Sequence, residues 1–180
     1  MKIKTALMGA VASLALAPMA FADAHEGERG RDGQLNIIYW QAPSILNPYL
    51  SGGTKDLESA SMIVEPLARY NETGALVPYL AEEIPTVANG GVSEDLTSIT
   101  WKLKSGLLWS DGSAVTSADV VFTAAYCMDP EGGCAQLSKF DGVENVEAID
   151  DLTVKVTFDS AKPNPYGPFA GAQSPIIQAA

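Results

Sequence analysis

Ile99, Trp101 and Leu103 alternate with Thr100, Lys102 and Lys104, and this run constrains the fold more than any other feature. Successive side chains of a strand point to opposite faces, so such a run buries one face and wets the other. Lys104-Ser105-Gly106 then turns the chain. Leu107–Trp109 reads as a second short strand, closed by Ser110-Asp111-Gly112. Further on, Thr116-Ser117-Ala118-Asp119 has the capping-box pattern, with aspartate where Glu or Gln is usual. The helix it opens carries Val120, Val121, Ala124 and Ala125 and is expected to end near Met128.

The rest of the chain supplies similar pieces. Val143–Ile149 and Leu152–Phe158 alternate across Asp150-Asp151, a hairpin signal. Leu35–Trp40 (LNIIYW) is apolar, β-branched and aromatic and reads as a short buried strand. Pro43 and Pro48 flank an extended stretch, followed by a loop of small residues, Ser51-Gly52-Gly53-Thr54. From Asp56, helical spacing runs through Leu57, Ala60, Ile63, Val64 and Leu67, with Thr54 as the N-cap and Pro66 ending or kinking the helix. Asn71–Gly74 and Asn89–Gly91 read as turns. Strands and helices mixed in this order predict an α/β or α+β domain. After Ala161 the chain is rich in proline and glycine and stops at Ala180 with no terminating element, as expected of a fragment.

The beginning of the chain predicts export. Lys2 and Lys4 precede an apolar run from Ala6 to Ala17, Pro18 breaks it, and Ala20-Phe21-Ala22 is a small-x-small cleavage pattern. Residues 1–22 therefore read as a signal peptide cut after Ala22, with Ala24 as the second choice. The apolar run is shorter than the roughly 18 residues of a membrane span. No cysteine lies near the cut, so a lipid anchor is not expected. Residues 23–34 (DAHEGERGRDGQ) read as a flexible lead-in, and residues 35–180 as the domain. The predicted location is the periplasm, free of the membrane.

Cys127 and Cys134 bracket the turn-rich stretch MDPEGG. In an oxidising compartment such a pair is expected as a disulfide joining the end of a helix to the loop after it. With His25 in the lead-in, two thiols make a poor zinc set, so no metal is expected. The formal charge is −11, and the leader carries two lysines and no acids. The mature chain is thus more acidic still, which argues against nucleic acid and anionic membranes as partners. There is no G-x-S-x-G elbow, H-E-x-x-H pair or phosphate loop, and the single histidine lies outside the expected domain, so an enzyme is not expected. Glu82-Glu83 and Asp150-Asp151 fit a solvated surface or a turn.

Ile99–Thr123 (ITWKLKSGLLWSDGSAVTSADVVFT) resembles the signature of the family 5 extracellular solute-binding proteins: a strand ending in a basic-x-Gly turn, aromatic-x-Asp-Gly, a Thr cap, and a helix with Asp-Val-Val-Phe. LNPYL at Leu46–Leu50 is similar to the family's Leu-Asp-Pro motif, and Val64–Pro85 to its Tyr-Glu-Gly-Leu … Pro-x-Leu-Ala-Glu-x-Trp stretch. The hairpin VEAIDDLTVKVTF and the segment SAKPNP also fit. Asn47 replaces the aspartate, Pro66 the glycine, and Pro85 stands at the tryptophan. Family members are roughly three times as long, with two lobes closing on a ligand. The resemblance implies the N-terminal part of one lobe of a type II periplasmic binding protein, without the second lobe.

It also implies a function and a site. The function is capture of peptides or a related small solute for the permease of an ABC importer, by a monomer without a cofactor. Peptide, nickel chelate, sugar and opine binders share these opening motifs. Ser51, Gly52, Gly53 and Thr54 match the loop that resembles the family's ligand-contacting segment. Glycines let a ligand approach the backbone, and a helix N-terminus offers N–H groups. An ordinary glycine-rich loop before a helix is the alternative reading. Trp40, Gln41 and Phe140 are weaker ligand candidates. Trp101, Trp109, Asp111-Gly112, Thr116 and Asp119 read as core, turn and cap. The alternative function is a small secreted carboxylate-based hydrolase; a sensor or chaperone component on the same fold is a third.

Overall fold

The structure, a computed structural model, describes residues 37–179. The leader, the lead-in and the first two residues of the expected 35–40 strand lie outside the described residues. The strands are β1 (Ala68–Tyr70), β2 (Leu76–Pro78), β3 (Ser98–Lys102), β4 (Val143–Asp150) and β5 (Thr153–Phe158). The helices are α1 (Thr54–Ala60) and α2 (Ser117–Met128), with short 3₁₀ turns at Pro48–Leu50, Leu137–Phe140 and Gly167–Phe169. Tyr39–Ala180 forms one compact unit, and Ile37 and Ile38 belong to the unit before it.

The alternating run becomes β3, as expected. Ile99, Trp101 and Leu103 are buried, while Lys102 and Lys104 are exposed. The hairpin of β4 and β5 places β5 in the centre of an antiparallel sheet of order β3-β5-β4. Trp101 lies opposite Val154 and Ile99 opposite Val156. α2 adds Val120, Ala124 and Cys127 to the same apolar cluster. Fully burying each of the large side chains stabilises the fold by about 1.5–3 kcal/mol. The mixed α/β class is thereby established for the described residues.

β4 departs from simple alternation. Val143 is buried and Val146 half-buried, but Ile149 is 57% exposed. β4 is an edge strand, and charged residues such as Glu144 and Glu147 keep an open edge from pairing further.

Three local expectations need correction. Ile37–Trp40 is not a strand; Ile38 is 97% and Trp40 70% exposed. A strand requires a pairing partner, and no described strand pairs with this run. Leu107–Trp109 reduces to a single bridge between Leu108 and Ala114, because the Asp111-Gly112 turn brings the chain straight back, Trp109 N–H donating to Ser113 O at 2.9 Å. α1 begins one residue earlier than expected, capped by Gly53, and stops at Ala60. Ser61 Oγ donates to Glu58 O at 2.8 Å, a local bond that competes with helix continuation. Met62 and Ile63 are consequently exposed and Pro66 lies beyond the helix, just before β1.

The Asn71–Gly74 turn joins β1 to β2. Asn71 Oδ1 accepts from Thr73 N–H at 3.1 Å and Ala75 N–H at 2.9 Å, and Gly74 adopts φ 80°, a conformation that favours glycine. The proline- and glycine-rich stretch after Ala161 is not peripheral: Phe169 and Ile176 are in the core. Cys127 and Cys134 are joined as a disulfide with Cα atoms 5.1 Å apart, linking the end of α2 to the loop after it.

Candidate functional site

The site is built around a short polar knot where the extended stretch meets α1. The 3₁₀ turn at Pro48–Leu50 is capped by Asn47, whose Oδ1 accepts from Tyr49 N–H at 3.0 Å. Tyr49 is fully buried, and its hydroxyl donates to Pro175 O at 2.6 Å. Burial pushes its phenol above the ordinary tyrosine range. The chain therefore enters the Ser51–Thr54 loop from a fixed point.

Asp56 then fixes the loop itself. This residue is 3% exposed and occupies the third position of α1. Oδ2 accepts from Ser51 Oγ at 2.7 Å, and Oδ1 accepts from Ser44 N–H at 2.6 Å and from Lys55 Nζ at 2.7 Å. Ser51 Oγ in turn accepts from Gly53 N–H at 3.0 Å. The Lys55 ammonium, the Ser51 hydroxyl and the Ser44 amide hold the Asp56 carboxyl well below the usual carboxylate range, so it stays ionised.

The outer surface of this knot is open. Gly52 and Thr54 are exposed, and a side chain added at Gly52 would meet nothing within 4 Å. At Gly53 an added Cβ would lie 3.3 Å from both Asp56 Oδ2 and Ser51 Oγ, so glycine there leaves room for the hydrogen bonds beneath. The arrangement leaves the backbone at Gly52 open while the side chains behind it are already satisfied.

The other sequence candidates fall in different places. Trp40 and Gln41 are exposed, and the chain following them is tied to α1 through the Ser44–Asp56 bond. Phe140 is 3% exposed, with its ring edge-on to Phe169 at 5.8 Å, so the structure does not bring it to this surface. Sequence reasoning missed Asp56 and Gln136. An acid three residues after a helix cap is a signal that Asp56 carried. Gln136, 5% exposed, donates from Nε2 to Pro48 O at 3.2 Å and to Ser51 O at 3.1 Å. No local pattern announces a glutamine reaching 85 residues back along the chain.

The signature run is structural, as its residue types predicted. Asp119 is buried at the start of α2. Its Oδ2 accepts from Thr116 N–H at 2.8 Å and from Trp109 Nε1 at 3.2 Å, and its Oδ1 accepts from Ala179 N–H at 2.8 Å. A cavity of about 320 Å³ lies beside this knot, lined by Trp109, Asp111, Thr116 and Gln178 among others. Asp111 at its rim is lowered to about 2 by Gln178 and Ser113. The carboxylate pairs Glu82-Glu83 and Asp150-Asp151 are exposed. Among the described residues no cluster of His, Cys, Asp and Glu is arranged to hold a metal, and no helix is long and apolar enough to cross a membrane.

A small antiparallel sheet backed by a capped helix, with a glycine loop anchored at the start of another helix, is an arrangement that solved chains share. The structure superposes with a TM-score of 0.68 on the binding protein AgaA from A. tumefaciens R10, solved with agropinic acid; the two are 28% identical over 76% of this chain and 26% of that one. It matches the unliganded open form of the periplasmic murein tripeptide binding protein MppA with a TM-score of 0.66 at 24% identity, over 77% of this chain and 29% of that one. That second likeness shows the fold alone. Among curated proteins, oligopeptide-binding protein OppA of Bacillus subtilis is 27% identical over 158 residues, 78% of this chain and 28% of the relative. Glutathione-binding protein GsiB of Pectobacterium atrosepticum is 28% identical over 112 residues, 62% of this chain and 21% of the relative. The chain thus spans 21–28% of the length of these two relatives. The family model for bacterial extracellular solute-binding proteins, family 5 Middle, matches residues 75–180. The chain belongs to that family.

Proposed function

We propose that this chain contributes to the solute-capturing component of an ABC importer, acting in the periplasm after removal of its leader at Ala22. The solute is a peptide or a related small molecule, and the loop Ser51–Thr54 touches it, with Trp40 and Gln41 alongside. The observation that carries this reading is the pairing of an open backbone at Gly52 with a buried, fully engaged Asp56 directly behind it. A loop fixed before the solute arrives loses little entropy on binding, which favours affinity. Relatives named for glutathione and oligopeptides, and a neighbour solved with agropinic acid, support small solutes of this class.

No bond is made or broken in this role. The protein works as a monomer, closing on its solute and presenting it to the membrane permease. The Cys127–Cys134 bridge fits the oxidising compartment the leader addresses. A thermal-shift screen of the full-length protein against peptide and metal-chelate libraries tests the reading. Peptides are expected to raise the melting temperature in a concentration-dependent way. A rise with metal chelates alone overturns the peptide assignment, and no rise with any library overturns solute capture.

A further inference from the structure

Gln136 stands in an unusual position for a neutral polar side chain: 5% exposed, far along the chain from its partners, with its amide aimed at two carbonyls. A side-chain amide has two N–H donors, and here both are used, on Pro48 O and Ser51 O. Two carbonyl acceptors at 3.1 and 3.2 Å also fix which end of the amide points at them. The neighbouring backbone joins in, Ala135 N–H donating to Tyr49 O at 2.7 Å. Residues 135 and 136 thus engage three carbonyls of the segment that leads into the glycine loop.

Gln136 is itself held. Cys134, two residues earlier, is bonded to Cys127 in the last turn of α2. Leu137–Phe140 forms a 3₁₀ turn directly after it, and Phe140 is locked against Phe169 in the core. Asp56 and Gln136 both hold Ser51, the first residue of the loop, Asp56 through its hydroxyl and Gln136 through its carbonyl.

We infer that Gln136 is a positioning residue for the Ser51–Thr54 loop, and that the Cys127–Cys134 bridge anchors it for that task. The solute-binding role of the loop rests on the function proposed above; the positioning itself does not. Gln136→Met keeps the side-chain length and removes both donated bonds.

The test is amide hydrogen exchange on the full chain, without ligand, comparing wild type with Gln136→Met. Amides of residues 49–54 are expected to exchange at least about tenfold faster in the variant, while those of β3 and β5 keep their rates. Unchanged exchange at 49–54 overturns the inference. Equal acceleration in β3 and β5 also overturns it, since that is general destabilisation. If the variant does not fold, the wild-type chain is compared before and after selective reduction of the disulfide. Faster exchange confined to 49–54 then supports the inference, and no change there, or equal acceleration in β3 and β5, overturns it. Calorimetry with trialanine on the full-length wild-type protein is run in parallel. Absence of peptide binding there counts against the proposed function and leaves the exchange result to decide the positioning.

Discussion

Ser51 Oγ donates to Asp56 Oδ2 at 2.7 Å, so the first residue of the glycine loop and the third residue of α1 form one hydrogen-bonded piece. The carboxylate has its full effect only when ionised. Its folded pKa is depressed, so its contribution is present above the ordinary aspartate value of about 3.9 and fades as pH falls below that. Asp56→Asn removes the charge while keeping the shape. It is expected to lower the melting temperature at pH 7 and to reduce the difference between pH 7 and pH 3, read by circular dichroism. An unchanged melting temperature at pH 7 contradicts the anchoring role.

The same sign holds for Asp111, which Gln178 and Ser113 lower to about 2. Its carboxyl is expected to titrate near that value by carbon NMR. Gln178→Ala, which removes the 2.8 Å bond to Asp111 Oδ2, is expected to move the midpoint upward toward the ordinary range.

Thr123 is fully buried and serves two segments: it donates to Asp119 O at 2.7 Å and accepts from Ile177 N–H at 3.0 Å. Thr123→Val keeps the shape but leaves the Ile177 amide without this acceptor. The expected loss in urea unfolding is about 1–3 kcal/mol. Trp101→Ala in the core is expected to cost about 3–5 kcal/mol, and a loss below that of Thr123→Val contradicts the packing described for β3.

The bridge between Cys127 and Cys134 predicts no free thiol in the oxidised mature chain, measured with a thiol-reactive dye after denaturation. Two reactive thiols contradict it. Replacing both by serine is expected to cost about 2.5 kcal/mol from the short loop the bridge closes.

The framework of β3, the turn, α2 and the β4–β5 hairpin was legible because each is specified locally: alternation for strands, Thr116 with Asp119 for the helix start, Asp150-Asp151 for the reversal. The family resemblance rested on the same residues, which is why it located the fold more securely than the site. Ile37–Trp40 misled because strand-forming composition says nothing about whether a partner strand is at hand. The glycine loop was visible as a loop before a helix, but the hydrogen bonds that hold Ser51 were not. Asp56 looked like an ordinary helix-start acid, and Gln136 like any polar residue, because their roles depend on long-range closure that no short window contains.

Contact between Ser51–Thr54 and the solute is the centre of the proposed function. Its most direct measurement is backbone amide exchange of the full-length protein with and without a saturating pool of tripeptides. Protection of the amides of Gly52, Gly53 and Thr54 on adding the pool is the predicted result. Peptide binding that leaves those three amides unprotected contradicts it.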